Sequence, residues 1–133
     1  MKARVKWVEN MMFVGESPSG HGIVIDGSKK VGVSPMEMLL LGMGGCSSID
    51  VVEILKKSRV DLVDCEVEIV AERADDIPKA FTRSHAHYTV RGRGIKPTQV
   101  ERAINLSVEK YCSASIMLGK TAEITHDFEI VEI

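Results

Sequence analysis

Three cysteines are the residues of this chain best suited to chemistry without a cofactor: Cys46, Cys65 and Cys112. They are odd in number and contain no Cys-x-x-Cys pair, so neither a secreted disulfide framework nor a cysteine-rich zinc site is indicated. What remains open is thiol chemistry. Cys46 sits beside Gly44 and Gly45 in a long apolar stretch, and Cys112 stands at the break Tyr111-Cys112-Ser113; neither position needs a cysteine for packing. Cys65 alternates with Val67 and Ile69 on the inward side of a strand and reads as structural. A free buried cysteine is commonly a small inert hydrophobe, and spacing alone does not overturn that reading for any of the three. Asp50 follows Cys46 by one helical turn on the same face, where an ionised carboxylate opposes a neighbouring thiolate. His85 and His87 share a strand face, but zinc takes three or four protein ligands and no carboxylate flanks them in sequence. They read as an exposed face.

These residues must be positioned by a small fold. The chain has 133 residues, 44% hydrophobic and 27% charged, which fits one compact domain over residues 1–133 that buries roughly two thirds of its unfolded surface. Seventeen basic and nineteen acidic residues give a net charge of −2. With no basic tract and few aromatics to stack on bases, nucleic acid is not an expected partner. The longest uncharged run, Met38 to Ile49, is shorter than the roughly 20 residues of a membrane-spanning helix. No signal-peptide pattern follows Lys2, Arg4 and Lys6, and the expected location is the cytoplasm.

Alternation over residues 2–27 predicts a β-hairpin or three-stranded meander. Ser34-Pro35-Met36-Glu37 then matches a capping box with proline at the first helical position, so a helix starts at Pro35. It extends to about Lys57. From Met36 to Ile49 it is apolar or small on every face except for Glu37, which predicts burial all round. One chain with a single sheet covers only one side, so a homodimer is expected to cover the other. Gly42, Gly44 and Gly45 in the helix interior point to close backbone approach. Cys65 to Glu72 reads as a half-buried strand, Asp75 to Pro78 as a turn, and Phe81 to Arg91 as the returning strand, with Ala86, Tyr88 and Val90 inward. Thr98 to about Tyr111 has helical spacing with Val100, Ala103, Ile104, Val108 and Tyr111 on one stripe. A short helix over Ser113 to Leu118 and a closing strand over Ala122 to Ile133 complete an α+β domain.

The run from Ser34 through Met38-Leu39-Leu40-Leu41-Gly42-Met43-Gly44-Gly45 to Cys46, with Asp50-Val51-Val52 and the downstream Glu109-Lys110-Tyr111-Cys112-Ser113, resembles the OsmC/Ohr family. It is most similar to the YhfA-like branch, and the resemblance covers essentially the whole chain. It implies an intertwined homodimer with two long central helices between sheets and active sites at the subunit interface. It also implies a thiol-dependent peroxidase acting on organic hydroperoxides, with Cys46 as the peroxidatic and Cys112 as the resolving cysteine. A thiolate attacks the peroxide, becomes a sulfenic acid and condenses with the second thiol, so no metal or organic cofactor is needed. The reductant implied is a dithiol, of lipoyl type in the family.

In better characterised branches an arginine of the meander pairs with the thiolate, and a glutamate just after the helix-starting proline holds that arginine. Here the matching stretch reads Asn10-Met11-Met12-Phe13, and the carboxylate stands one place later, at Glu37. Glu37 is retained as a candidate site residue, with its capping role as the alternative. Arg4, His21, Lys29 and Lys30 are open alternatives for the activating cation. Met11, Met12, Phe13, Met36, Met38 and Met43 are core residues by count, and some of them suit the lining of an apolar pocket beside Cys46. The rival readings are a non-catalytic dimer that binds a small hydrophobic ligand and a thiol redox sensor.

Overall fold

The computed structural model describes every residue from Met1 to Ile133. Internal packing gathers the chain into two compact units, Met1–Leu41 and Gly42–Ile133.

The first unit is the expected meander. Strands β1 (Arg4–Glu9), β2 (Met12–Glu16) and β3 (Gly22–Asp26) form an antiparallel sheet in sequence order. Asn10 takes the left-handed conformation at φ 49° in the first turn, where asparagine is tolerated. Asp26 closes the unit. Its buried carboxylate accepts from Ser28 Oγ at 2.6 Å and from the backbone N–H groups of Ser28, Lys30 and Val31 at 2.8, 3.1 and 3.0 Å. These bonds curl the loop that leads to helix α1 (Pro35–Lys57) and hold the carboxyl down at about 2, with Ser28 the main cause. A Cβ on Gly32 would stand 2.7 Å from the Val24 carbonyl oxygen, so this loop can pass the sheet only as glycine.

In the second unit, β4 (Asp61–Arg73) and β5 (Phe81–Arg93) pair antiparallel, and β6 (Glu123–Glu132) joins β5 in parallel. A parallel neighbour requires a crossover. It is supplied by α2 (Pro97–Leu106), a π-helical turn over Ser107–Tyr111, and α3 (Ser113–Leu118). Val51 and Leu55 of α1, Tyr88 and Val90 of β5, and Val100, Ala103 and Ile104 of α2 form the core, each at most 1% exposed. The strand alternation read from sequence holds: Ala86, Tyr88 and Val90 face inward.

As expected, one chain covers helix α1 on one side only. Met43, Gly44, Ser47, Val51 and Leu55 form a single buried stripe, whereas Leu41 and Ile49 are each 62% exposed. Of its glycines only Gly44 is at a close approach, where an added Cβ would lie 2.9 Å from Ile69 Cδ1; at Gly42 and Gly45 it would meet nothing within 4 Å. One expectation needs correction: Tyr111 does not complete the α2 stripe, because the widened π turn rotates it outward and leaves it half exposed. By length and composition α1 would pass for a membrane span, but its buried stripe packs in a protein core.

Candidate functional site

Local structure explains how each cysteine is held. Cys46 lies on α1 one residue before the buried Ser47, and is itself half-buried. Cys112 follows the π turn, where its N–H bonds back to the Ser107 carbonyl at 2.7 Å, and its extended conformation caps α3. Its fully buried sulfur accepts from Ser115 N at 3.3 Å and Ser115 Oγ at 3.0 Å. The broken spacing at Tyr111-Cys112-Ser113 is thus the signature of a π turn that aims a side chain, a placement frequent at functional sites.

The tertiary fold brings the two thiols together. Cys46 Sγ, Cys112 Sγ and a carboxylate oxygen of Asp50 all lie within 4.8 Å of one another, and both cysteines are free thiols. A disulfide needs an S–S distance of ~2.05 Å, so the two sulfurs are neighbours that must still approach each other to bond. Burial pushes the Cys112 thiol up; the Ser115 hydrogen bonds oppose that shift, and Cys46 beside it adds to it. Cys112 is therefore held as a neutral thiol at pH 7.

Asp50 is restrained from behind. Ser107 Oγ donates to Asp50 Oδ2 at 3.0 Å, Ser47 Oγ lies 3.0 Å from Ser107 Oγ, and the Tyr88 hydroxyl bonds to Ser47. An ionised carboxylate accepts only, so the chain of donors runs from Tyr88 through Ser47 and Ser107 to Asp50. Burial pushes the Tyr88 phenol up, which keeps it a donor. Sequence spacing identified Asp50 but missed Ser47, Tyr88 and Ser107. The available signal was two serines on otherwise apolar, inward stripes.

Asp50 also opens onto a cleft of about 680 Å³ between α1 and α2, whose lining includes Lys57, Arg102 and Tyr111. Those two cations were not singled out from sequence. The cations that were, Arg4, His21, Lys29 and Lys30, all belong to the N-terminal unit. Glu37 belongs there too, engaged in the predicted capping box: Ser34 N donates to Glu37 Oε1 at 2.8 Å and Glu37 N donates to Ser34 Oγ at 3.3 Å. The Ser34 backbone N–H, and secondarily the Ser34 hydroxyl, hold its carboxyl below the usual range.

Cys65 stands apart from the pair. Burial, and secondarily the charge of Asp64, push its thiol up, in keeping with a structural residue. His85 and His87 are on the outward face as expected, but β6 supplies the carboxylates their own strand lacks. Asp127 Oδ1 lies 3.0 Å from His85 Nε2 and 2.7 Å from His87 Nδ1, and Glu129 Oε1 lies 3.3 Å from His87 Nε2.

Comparison with known proteins identifies the family and the fold. Residues 26–127 match the family model described as OsmC-like protein. The chain is 54% identical over 132 residues to Protein YhfA of Escherichia coli K12, with 98% of each chain covered. A hypothetical protein from Aquifex aeolicus has a similar structure at TM-score 0.90 and 26% identity, covering 99% of this chain and 96% of its own. An organic hydroperoxide resistance protein OsmC from Legionella pneumophila shares the fold at TM-score 0.71 and 13% identity, with 96% and 95% covered.

Proposed function

The chain belongs to the OsmC-like protein family, and on that premise we propose that it is a thiol-dependent peroxidase that reduces organic hydroperoxides. The observation that carries the reading is the convergence of Cys46 and Cys112 from separate elements to within 4.8 Å. The Legionella neighbour of the same fold is described as an organic hydroperoxide resistance protein, which supports the substrate class.

In this mechanism the Cys46 thiolate attacks the terminal oxygen of ROOH, the O–O bond breaks, and the alkoxide leaves as ROH after taking a proton. Cys46 becomes a sulfenic acid. Cys112, held as a thiol, must lose its proton before it attacks the Cys46 sulfur. Asp50 is the carboxylate within reach to accept that proton. Water leaves and the Cys46–Cys112 disulfide forms. An external dithiol, of lipoyl type by family resemblance, restores both thiols by two exchange steps. The cycle requires no metal or organic cofactor, and dependence on a reductant suits the cytoplasm. Cleft cations Lys57 and Arg102 are the candidates in the Gly42–Ile133 unit to offset negative charge near Asp50, in place of an arginine at the Asn10–Phe13 stretch. Glu37 caps helix α1 through its bonds with Ser34.

The working unit is proposed to be a homodimer. The exposed Leu41, Gly42, Gly45 and Ile49 form one smooth apolar stripe of α1, suited to a second copy of the same helix.

The test is consumption of cumene hydroperoxide with a dithiol reductant, by the wild type and by Cys46→Ser. Turnover in the wild type that disappears in the variant is the expected result. No turnover in either protein would overturn the reading in favour of a ligand-binding dimer.

A further inference from the structure

The geometry points to a binding site for a thiophilic divalent cation of the zinc class, formed by Cys46, Asp50 and Cys112 in the reduced protein. Two sulfurs and a carboxylate oxygen already lie within 4.8 Å of one another. Around tetrahedral zinc, with Zn–S of ~2.3 Å and Zn–O of ~2.1 Å, donor atoms stand about 3.5–3.8 Å apart. The donor separations therefore need to shrink by about 1.3 Å at most to match that geometry. Two thiolates select a soft cation over magnesium or calcium, and three protein ligands leave a fourth position open.

Three further features make this more than a cluster of donors. Ser107 holds Asp50 from behind at 3.0 Å, as outer hydrogen bonds orient metal ligands. Ser115 N and Oγ already donate to the Cys112 sulfur and would stabilise it as a thiolate. Asp50, one of the three donors, lines a cleft that opens to solvent. The cation also resolves an electrostatic conflict, because a carboxylate beside two thiols disfavours their ionisation unless a positive charge sits among them. On binding, each thiol loses its proton to solvent and each sulfur donates a lone pair to the metal. The same lone pairs are consumed when the sulfurs form a disulfide, so metal and disulfide exclude each other. The binding is independent of the peroxidase reading; its consequence, that the cation blocks turnover until released, rests on that reading.

The probe is cobalt(II), titrated into protein reduced with a phosphine, stripped of metal and freed of reductant. One equivalent per chain is expected to produce thiolate-to-cobalt charge-transfer absorption together with the visible bands of tetrahedral cobalt, and zinc is expected to displace it. Cys65→Ser is expected to keep the full signal. Cys46→Ser and Cys112→Ser are expected to lose it, and Ser107→Ala, which leaves every ligand in place, to weaken affinity by about tenfold or more. Far-ultraviolet circular dichroism checks that each variant is folded; should Cys112→Ser unfold, Asp50→Asn takes its place with the same expected loss of affinity. Absence of the charge-transfer band, its survival in Cys46→Ser, or its loss in Cys65→Ser alone would overturn the site. A wild type that binds cobalt but turns over no hydroperoxide leaves the site standing and removes the peroxidase reading.

Discussion

Ser107, on the π turn, donates a hydrogen bond to Asp50, on α1, at 3.0 Å across 57 residues of sequence. The contact ties the helix that carries Cys46 to the turn that delivers Cys112. Ser107 is fully buried and also lies 3.0 Å from Ser47 Oγ. Ser107→Ala removes both interactions and leaves Ser47 with Tyr88 as its partner. The expected loss is about 1–2 kcal/mol, read as a lowered urea midpoint at unchanged m-value.

Resolution by Cys112 makes a prediction about an intermediate. Cys112→Ser is expected to consume one equivalent of hydroperoxide per chain and then stop. Its Cys46 sulfenic acid should be captured by dimedone and seen as a mass increase, whereas the wild type accumulates disulfide. Continued turnover by Cys112→Ser at the wild-type rate would remove Cys112 from the cycle.

The open side of α1 can be tested by filling it. Within one chain an added Cβ at Gly42 or Gly45 touches nothing, and alanine is favoured over glycine in a helix by about 1 kcal/mol. An isolated subunit should thus be stabilised. If a second copy packs its helix there, Gly42→Ala and Gly45→Ala instead weaken association. Sedimentation equilibrium is expected to show a raised dimer dissociation constant for both.

Acid stability should depend on Asp26. Its carboxyl is lowered from 3.8 to about 2 by the hydrogen bonds it accepts, so its contribution is fully present above its unfolded value. It is lost as pH falls through the folded value. Between pH 3.8 and about 2, wild-type stability is expected to fall toward that of Asp26→Asn, a convergence visible in denaturation midpoints measured across that range.

His87 makes the opposite statement. Asp127, then Glu129, hold the imidazolium and raise its value above 6.5. Its contribution is present below the unfolded value and fades as pH rises through the folded one. The group is exposed, so the effect on stability is small and screened by salt. An NMR titration is expected to place His87 above 6.5 in the wild type and to return it toward that value in Asp127→Asn.

The sequence by itself determined what is local. Ser34 and Glu37, three residues apart, specify a capping box that the structure reproduces atom by atom. The period-two pattern of β5 specifies its buried side, and a spacing of four positions from Cys46 to Asp50 places them on one helix face. Such readings succeed because hydrogen bonds to near neighbours and side-chain periodicity are set by backbone geometry. Tertiary structure decided the rest. Asp127 reaches His85 and His87 only because β6 pairs parallel with β5 in one register, a choice made by the crossover. Ser107 reaches Asp50, and Cys112 reaches Cys46, only because Val100, Ala103 and Ile104 seat α2 against Val51 and Leu55. Apolar burial is non-directional, so the pattern announces that a face will be covered without naming what covers it. For the same reason the all-apolar stretch of α1 called for cover on a side that one chain leaves open at Leu41 and Ile49, without specifying the packing that provides it.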